Sequence, residues 1–139
     1  MLPVAPDVVD LTIRALLAQP AVTALVGTRV YDRVAGSVYP LLVVGVVDFA
    51  PTAEPRRTVT LVQVDCWGRG GDPAQATQAS LLARTVAAVA PDLRGAWPPA
   101  AGYIVAAYLD RMLPQPDTTT GRARWLVQLE VTTATMEEQ

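Results

Sequence analysis

The residues best able to do chemistry lie at Asp65 and Cys66, where a strand-like run meets a glycine-rich turn and then a helix. Backbone N–H groups in a turn such as Gly68-Arg69-Gly70-Gly71 can bind phosphate when they precede a helix. The spacing matches neither a P-loop nor a dinucleotide-binding fingerprint. Asp72 can cap the helix and Pro73 suits its first position, so capping explains the residue types present. We therefore predict a structural corner.

A thiol nucleophile at Cys66 is disfavoured by its surroundings. Adjacent strand residues point to opposite faces, and a neighbouring carboxylate raises the pKa of a thiol. The chain has no His, and all 11 basic residues are Arg, so the usual general bases and Schiff-base lysines are missing. A pair of carboxylates, Asp65 and Glu130, is the remaining acid–base alternative, and it requires their two strands to be neighbours. We predict no catalytic residue, metal site or cofactor, and therefore no enzyme.

Composition points to contacts with other proteins. Hydrophobic residues make up 51% of the 139 residues and charged residues only 17%, which leaves a lightly charged surface of the kind that partners cover. A pI near 4.9 does not match the basic surface of a DNA-binding domain. Arginines in exposed loops, at 56, 57, 122 and 124, are therefore expected to contact protein, since Arg is enriched in protein interfaces.

The hydrophobic periodicity predicts two helices and five strands. One helix begins at Val8, capped by Asp7, with an apolar face of Val9, Ile13, Leu16 and Leu17. The second is Ala-rich and spans about 76–90, and a short helical turn is expected at 21–26. Strands are expected at 28–34, 41–47, 58–67, 102–109 and 122–133. This order is typical of an α+β domain with a mainly antiparallel four- to five-stranded sheet and two helices packed on one face.

The chain is expected to form a single domain over residues 1–139. Its ends, at about 1–6 and 134–139, are expected to be flexible, and loops at about 49–57 and 114–122 to be mobile. The 41–47 strand is apolar on both faces, so both need cover, and a neighbouring subunit could supply one side. In two other strands, Gln63 and Asp65 share one face, as do Gln128 and Glu130.

Several short motifs occur in an order that is characteristic as a set. They are Leu25-Val-Gly-Thr-Arg-Val-Tyr31, Tyr39-Pro40 before an apolar strand, Val62-Gln-Val-Asp-Cys-Trp-Gly68 before an Ala-rich helix, and a closing strand, Arg124-Trp-Leu-Val-Gln-Leu-Glu-Val131. Over about residues 8–133 the chain resembles the tail terminator (tail-completion) proteins of long, non-contractile-tailed bacteriophages and their prophage relatives.

The resemblance implies a structural subunit that assembles with copies of itself into a homohexameric ring. The ring would cap the finished tail tube, stop its polymerisation and present the surface that joins the head. Its partners would be the major tail-tube protein and a head-completion or connector protein, and no membrane would be involved. DNA would pass through the lumen without being read. The protein would reside in the virion at the tail–head junction, after assembly in the host cytoplasm.

On this resemblance, two groups of residues become candidates. The loops at 50–57 and 114–122 would reach neighbouring rings, and the candidate ring or tube interface residues are Arg56, Arg57, Asp117, Arg122 and Arg124. A polar, acid-bearing sheet face would suit a lumen because it would not hold passing phosphates. Its candidate residues are Gln63, Asp65, Gln128 and Glu130.

Two alternatives stay open on the sequence. A head-side neck connector, such as a head-closure or stopper protein, is one, and a gene position just before the major tail-tube gene would argue against it. A small ligand-binding α+β domain is the other. It would require Asp65 or Glu130 to sit in a closed pocket with a raised pKa.

Overall fold

The computed structural model describes residues 6–33, 38–51, 56–70 and 73–135. Within these ranges the chain forms three α-helices, one 3-10 helix and five β-strands. The helices are α1 (Val8–Leu17), α2 (Pro20–Val26), α3 (Pro73–Val89) and the 3-10 helix Ala90–Leu93. The strands are β1 (Val30–Tyr31), β2 (Leu41–Pro51), β3 (Arg57–Trp67), β4 (Tyr103–Pro114) and β5 (Arg124–Ala134).

The five strands form one sheet in the order β1-β2-β3-β5-β4. Only the short β1–β2 pair is parallel, and the other three pairs are antiparallel. The predicted α+β class with a mainly antiparallel sheet is therefore confirmed. β3 and β5 pair without interruption from Arg57↔Ala134 to Trp67↔Arg124. These two pairs mark the ends of the sheet, called the Arg57 end and the Trp67 end below.

The helices cover one face of the sheet and build the core with it. The β3 residues that face them, Thr60, Val62, Val64 and Cys66, are buried. α3 contributes mostly small residues to the contact, among them Ala79, Ala83 and Val86, so the helix can lie close to the strands. Each fully buried Val or Leu side chain contributes about 1.5–3 kcal/mol, which makes this face the main source of stability.

The start of α1 agrees with the sequence, whereas its predicted apolar face is confirmed as fully buried only at Leu16. Asp7 caps the helix, since its Oδ1 accepts hydrogen bonds from the backbone N–H groups of Val9 and Asp10 at 3.1 Å. The fully packed residues are Val8, Leu11, Thr12, Ala15 and Leu16. The predicted Val9, Ile13 and Leu17 are only half-buried, because the stripe in contact with the sheet begins one residue earlier.

Strand lengths differ from the predictions at several places. Over the described residues 28–33, the predicted 28–34 strand is reduced to Val30–Tyr31, because it pairs only with Leu42 and Val43; Val34 lies outside the described residues. β2 and β4 run on to Pro51 and Pro114. A proline is tolerated there because an edge strand does not need every N–H group.

The predicted loops and ends shrink accordingly. Residues 49–51, 57 and 114 belong to strands, while residues 52–55 lie outside the described ranges. Ala134, predicted to be in a flexible end, is the buried last residue of β5. The remaining predicted ends, 1–5 and 136–139, lie outside the described residues.

Candidate functional site

The sheet face that carries no helix, called the open face, collects the predicted polar residues. Strand register places side chains of β2, β3, β5 and β4 in rows across it. One row is Gly45, Gln63, Gln128 and Arg111, and the next towards the Arg57 end is Asp48, Leu61, Glu130 and Tyr108. Towards the Trp67 end follow Val43, Asp65, Leu126 and Leu113. Gln63, Asp65, Gln128 and Glu130 therefore share one surface.

Three of these four side chains form a continuous hydrogen-bonded chain. Gln128 Nε2 donates to Gln63 Oε1 at 3.2 Å, and Gln63 Nε2 donates to Asp65 Oδ1 at 2.8 Å. Gly45 flanks Gln63 on β2, and a Cβ atom added at this glycine would meet nothing within 4 Å. At the centre of the open face, the neutral amide groups of Gln63 and Gln128 therefore lie beside Gly45, which has no side chain. The amide of Gln63 is also hydrogen-bonded to the carboxylate of Asp65.

Asp65 is half-buried, and its surroundings act on its pKa in opposite directions. Burial disfavours the carboxylate and raises the pKa above its usual range, while the hydrogen bond from Gln63 and the positive charge of Arg124 work against that rise. The net direction is upward.

Asp65 and Glu130 do not form an acid–base pair, although β3 and β5 are neighbours as that reading required. Glu130 lies opposite Leu61, four residues from Asp65 along β3, which is about 13 Å in a strand. An open depression of about 310 Å³ is lined by Asp48, Phe49, Val59, Leu61 and Glu130. It does not include Asp65, so the two carboxylates share no pocket there.

Cys66 is a buried structural thiol, as predicted. Its Sγ donates to the carbonyl oxygen of Val64 at 3.8 Å. Burial raises the pKa of the thiol strongly, and the negative charge of Asp65 adds to the rise. A thiolate nucleophile is not available at this position.

The described part of the glycine-rich turn, residues 68–70, ties β3 to the segment before β5, and the N–H groups of Gly68 and Arg69 are already hydrogen-bonded. Gly71 lies outside the described residues. Gly68 N donates to Ala123 O at 3.0 Å, and Ala123 N donates to Gly70 O at 2.7 Å. Arg69 N donates to Oε1 of Gln78 at 3.2 Å. Phosphate binding on these N–H groups is therefore not supported. α3 begins at Pro73 as expected, whereas the predicted Asp72 cap lies outside the described residues.

The Trp67 end carries a cluster of aromatic rings and guanidinium groups, called the arginine–aromatic cluster. Its members are Tyr39, Trp67, Arg69, Arg122 and Arg124. The Tyr39 and Trp67 rings meet edge to face at 6.4 Å. The guanidinium of Arg122 lies 3.7 Å from the centre of the Tyr39 ring, and that of Arg124 lies 4.8 Å from the Trp67 ring. Cation–π contacts of this kind hold planar cations in place.

Backbone carbonyl groups fix the same three arginines further. Arg69 Nε donates to Tyr39 O at 3.3 Å, Arg124 Nε donates to Gln115 O at 2.9 Å, and Arg122 Nη1 donates to Arg69 O. Within the described ranges none of the three forms an ion pair with a carboxylate. The sequence predicted Arg122 and Arg124 as interface residues, but it did not predict that Tyr39 and Arg69 belong to the same cluster. Tyr39 and Arg69 join the cluster through contacts between distant segments of the chain. The sequence drew attention to Tyr39 only as part of the Tyr39-Pro40 motif.

Asp117 organises the turn between β4 and β5. Its carboxylate accepts from the backbone N–H groups of Thr119 and Thr120, both at 3.3 Å, and from the Thr120 hydroxyl at 2.5 Å. These hydrogen bonds, the hydroxyl one first, lower the pKa of Asp117. Asp117 thus has a local structural task in addition to any contact with a partner.

The predicted interface residues fall into two groups at opposite ends of the sheet. Arg122 and Arg124 lie at the Trp67 end with Asp117 in the adjoining turn. Arg56 and Arg57 are exposed at the Arg57 end, where Arg56 O accepts from Thr135 N at 3.1 Å. Ten residues of β3 separate the two ends, which is about 33 Å. The sequence alone did not reveal this separation.

The described part of the chain offers neither a metal site nor a single membrane-spanning helix. No group of three or more His, Cys, Asp or Glu residues there could hold a metal ion. No single helix among those residues is long and apolar enough to cross a membrane. Within the same residues, only α1 and α2 taken together, with a bend of 87° between them, have the length and composition of a membrane span.

The chain was compared with known proteins. The sequence model of the family described as "Tail completion protein gp17" matches residues 12–134. No curated protein sequence matches. Among solved structures, a chain in the virion of a native gene transfer agent (GTA) particle is similar, with a TM-score of 0.63 and 21% identity. The match covers 88% of this chain and 92% of that chain, and at this identity it concerns the fold.

Proposed function

Since the chain belongs to the tail completion protein gp17 family and is a structural component of a virion tail, we propose that it forms a ring that caps the tail tube. The ring stops tail polymerisation and provides the surface to which the head is joined. Its partners are further copies of itself, in a homohexamer, the major tail-tube protein and a head-completion or connector protein. The observation that carries this proposal is the family match over residues 12–134.

The two ends of the sheet support a protein that contacts one partner above and another below. Arg56 and Arg57 lie at one end, where β3 begins, and Arg122 and Arg124 lie at the other, with the turn after Pro114. A subunit that bridges tail tube and head needs two such separated surfaces. In the proposed ring, each end faces one of the neighbouring structures.

The open face supports a lumen through which DNA passes. The Gln63–Gln128 amide pair is neutral, and Asp65, Glu130 and Asp48 share this face with it. Carboxylates repel the phosphates of nucleic acid, and cations would hold them. Two cations also lie on this face, but the guanidinium of Arg124 is stacked on Trp67, and Arg111 lies at the margin of the face, on the edge strand β4.

The test is tail length after interruption of this gene in the source phage or prophage, measured by negative-stain electron microscopy. The proposal expects overlong, headless tails beside DNA-filled heads, and restoration of both length and joining by the gene supplied in trans. Tails of normal length beside unjoined or leaking heads would instead place the protein on the head side of the neck. Intact, infectious particles would contradict the proposal.

A further inference from the structure

The two outer edges of the sheet carry exposed apolar side chains that the fold itself does not cover. On β2, Val46, Val47 and Phe49 are 45%, 49% and 60% exposed. On β4, Tyr108 and Leu109 are 64% and 45% exposed. Large apolar residues concentrated at two sites are typical of surfaces that a partner covers.

Both edges are open along this stretch. β1 pairs with β2 only at Leu42 and Val43, so the outer side of β2 has no neighbour beyond that point in the described structure. β4 is the last strand on the other side of the sheet. We define the β2 edge as residues 45–49 and the β4 edge as residues 107–111.

Strand register places the two edges at the same height of the sheet. Through β3 and β5, Val46 lies in the row of Val62, Leu129 and Leu109. The neighbouring rows end in Asp48 and Tyr108, and in Gly45 and Arg111. A copy placed beside this one in the same orientation therefore brings apolar Val46 next to Leu109 on the helix side. On the open side it brings Asp48 next to Tyr108 and one row from Arg111.

The strand directions suit such a contact. β2 and β5 run from the Trp67 end to the Arg57 end, whereas β4 runs the opposite way. Copies related by rotation about an axis along the strands would thus present β2 of one to β4 of the next as antiparallel neighbours. The two surfaces differ, so the contact is heterologous, and it closes a ring when the rotation from one copy to the next divides a full turn.

We infer that the β2 edge of one copy packs against the β4 edge of the next, with Val46 meeting Leu109, and Asp48 meeting Tyr108 and Arg111. This inference rests on the proposed ring and names the contact that would build it. Both edges are bulged, between Val46 and Asp48 on β2 and between Leu109 and Arg111 on β4. Bulges shorten any backbone ladder and protect an edge from indiscriminate pairing, so side chains select the partner.

Cysteine cross-linking tests the contact inside particles. The double variant Val46→Cys/Leu109→Cys is supplied in trans to the interrupted gene, and purified tails are oxidised and run on a denaturing gel. We expect a ladder of covalent oligomers, and no cross-linked species from either single variant. The native Cys66 is fully buried and does not take part. Val46→Cys/Leu81→Cys is the matched control, because Leu81 is similarly exposed on α3, and it should give no ladder.

A charge exchange provides an independent test that does not depend on disulfide geometry. Asp48→Arg and Arg111→Asp each place like charges across the contact, so each single variant should lose its incorporation into tails. The double variant should recover it. Both residues are exposed, so each variant is expected to fold, and unfolding curves of the purified proteins are the control for this.

The outcomes separate this inference from the proposed function. A ring that is present in tails, with no ladder and no recovery by charge exchange, overturns the edge contact and leaves tail termination standing. Dimers from Leu109→Cys alone would mean a two-fold contact between like edges and would also overturn it. Tails of normal length without this gene would contradict the proposed function itself.

Discussion

The two faces of one sheet differ in burial and polarity, although their residues alternate one by one in the same strands. On β5, Val127, Leu129 and Val131 are buried under the helices, while Gln128 and Glu130 between them lie on the open face. The helix-covered face holds the core together through apolar contact. The open face contributes little to that core, so its side chains are free to meet something else. Substitutions on the open face should therefore disturb the core less than substitutions on the helix-covered face.

The largest expected difference is between two leucines, one on each face. Leu129→Ala empties a fully buried position and should cost about 2–5 kcal/mol. Leu61→Ala removes a half-buried side chain on the open face and should cost well under half as much. Denaturant unfolding at neutral pH measures both values. Equal losses would mean that the open face is a second core, and the contrast between the faces would be wrong.

A smaller effect is expected at the arginine–aromatic cluster. Arg124→Ala removes the stacking of the guanidinium on Trp67 and its hydrogen bond to Gln115 O. A cation–π contact contributes about 0.5–2 kcal/mol, depending on how far it is shielded from water. Because Arg124 is half-buried over the buried Trp67 ring, the loss of stability should lie in that range. Arg84→Ala, at an exposed position on α3, is the control and should be close to neutral. A cluster variant as neutral as the control would show that the cluster adds nothing to folding.

The carboxylate of Asp65 should reduce stability at neutral pH. Burial raises its pKa above the usual value of 3.8, so the folded protein binds this proton more tightly than the unfolded chain does. The penalty is full above the raised pKa and disappears as the pH falls below the usual value. Asp65→Asn should therefore stabilise the protein at pH 7 and not at low pH. Urea unfolding across this range measures the difference, and a destabilised variant at pH 7 would contradict it.

Asp117 should show the opposite sign and the smallest effect. Its pKa is lowered by hydrogen bonds from Thr120 and Thr119, so the charged form stabilises the turn above the usual pKa. That contribution is lost as the pH falls through the lowered pKa. Asp117→Asn should destabilise slightly at pH 7, with the gap closing in acid. The same unfolding series measures it, and a gap that widens in acid would refute the assignment.

The sequence predicted the two faces well because a period of two is a local property. Thr60, Val62, Val64 and Cys66 were separated from Gln63 and Asp65 by alternation alone, and β5 followed the same rule. The Asp7 cap and the inert Cys66 were also predictable, since each depends on near neighbours in the chain.

Features set by distant contacts could not be predicted in this way. β1 is short because β2 offers it only two partners, and β2 and β4 run further than their patterns indicated. The position of β5 between β3 and β4 fixes which polar residues meet, and no local signal encodes it. No local signal predicts the contact between the Arg122 guanidinium and the Tyr39 ring. None predicts that exposed residues of the β2 and β4 edges lie in the same rows of the sheet.

The most direct test of the functional role of the open face is genome delivery by particles carrying Gln63→Arg/Gln128→Arg. The matched control is Leu81→Arg/Ala88→Arg, which adds the same charge at exposed positions on α3. If the open face lines the DNA path, the first variant should give joined particles with tails of normal length that deliver DNA poorly, because added cations hold phosphates. The control should deliver normally. Equal delivery by both would contradict the assignment of the open face to the lumen.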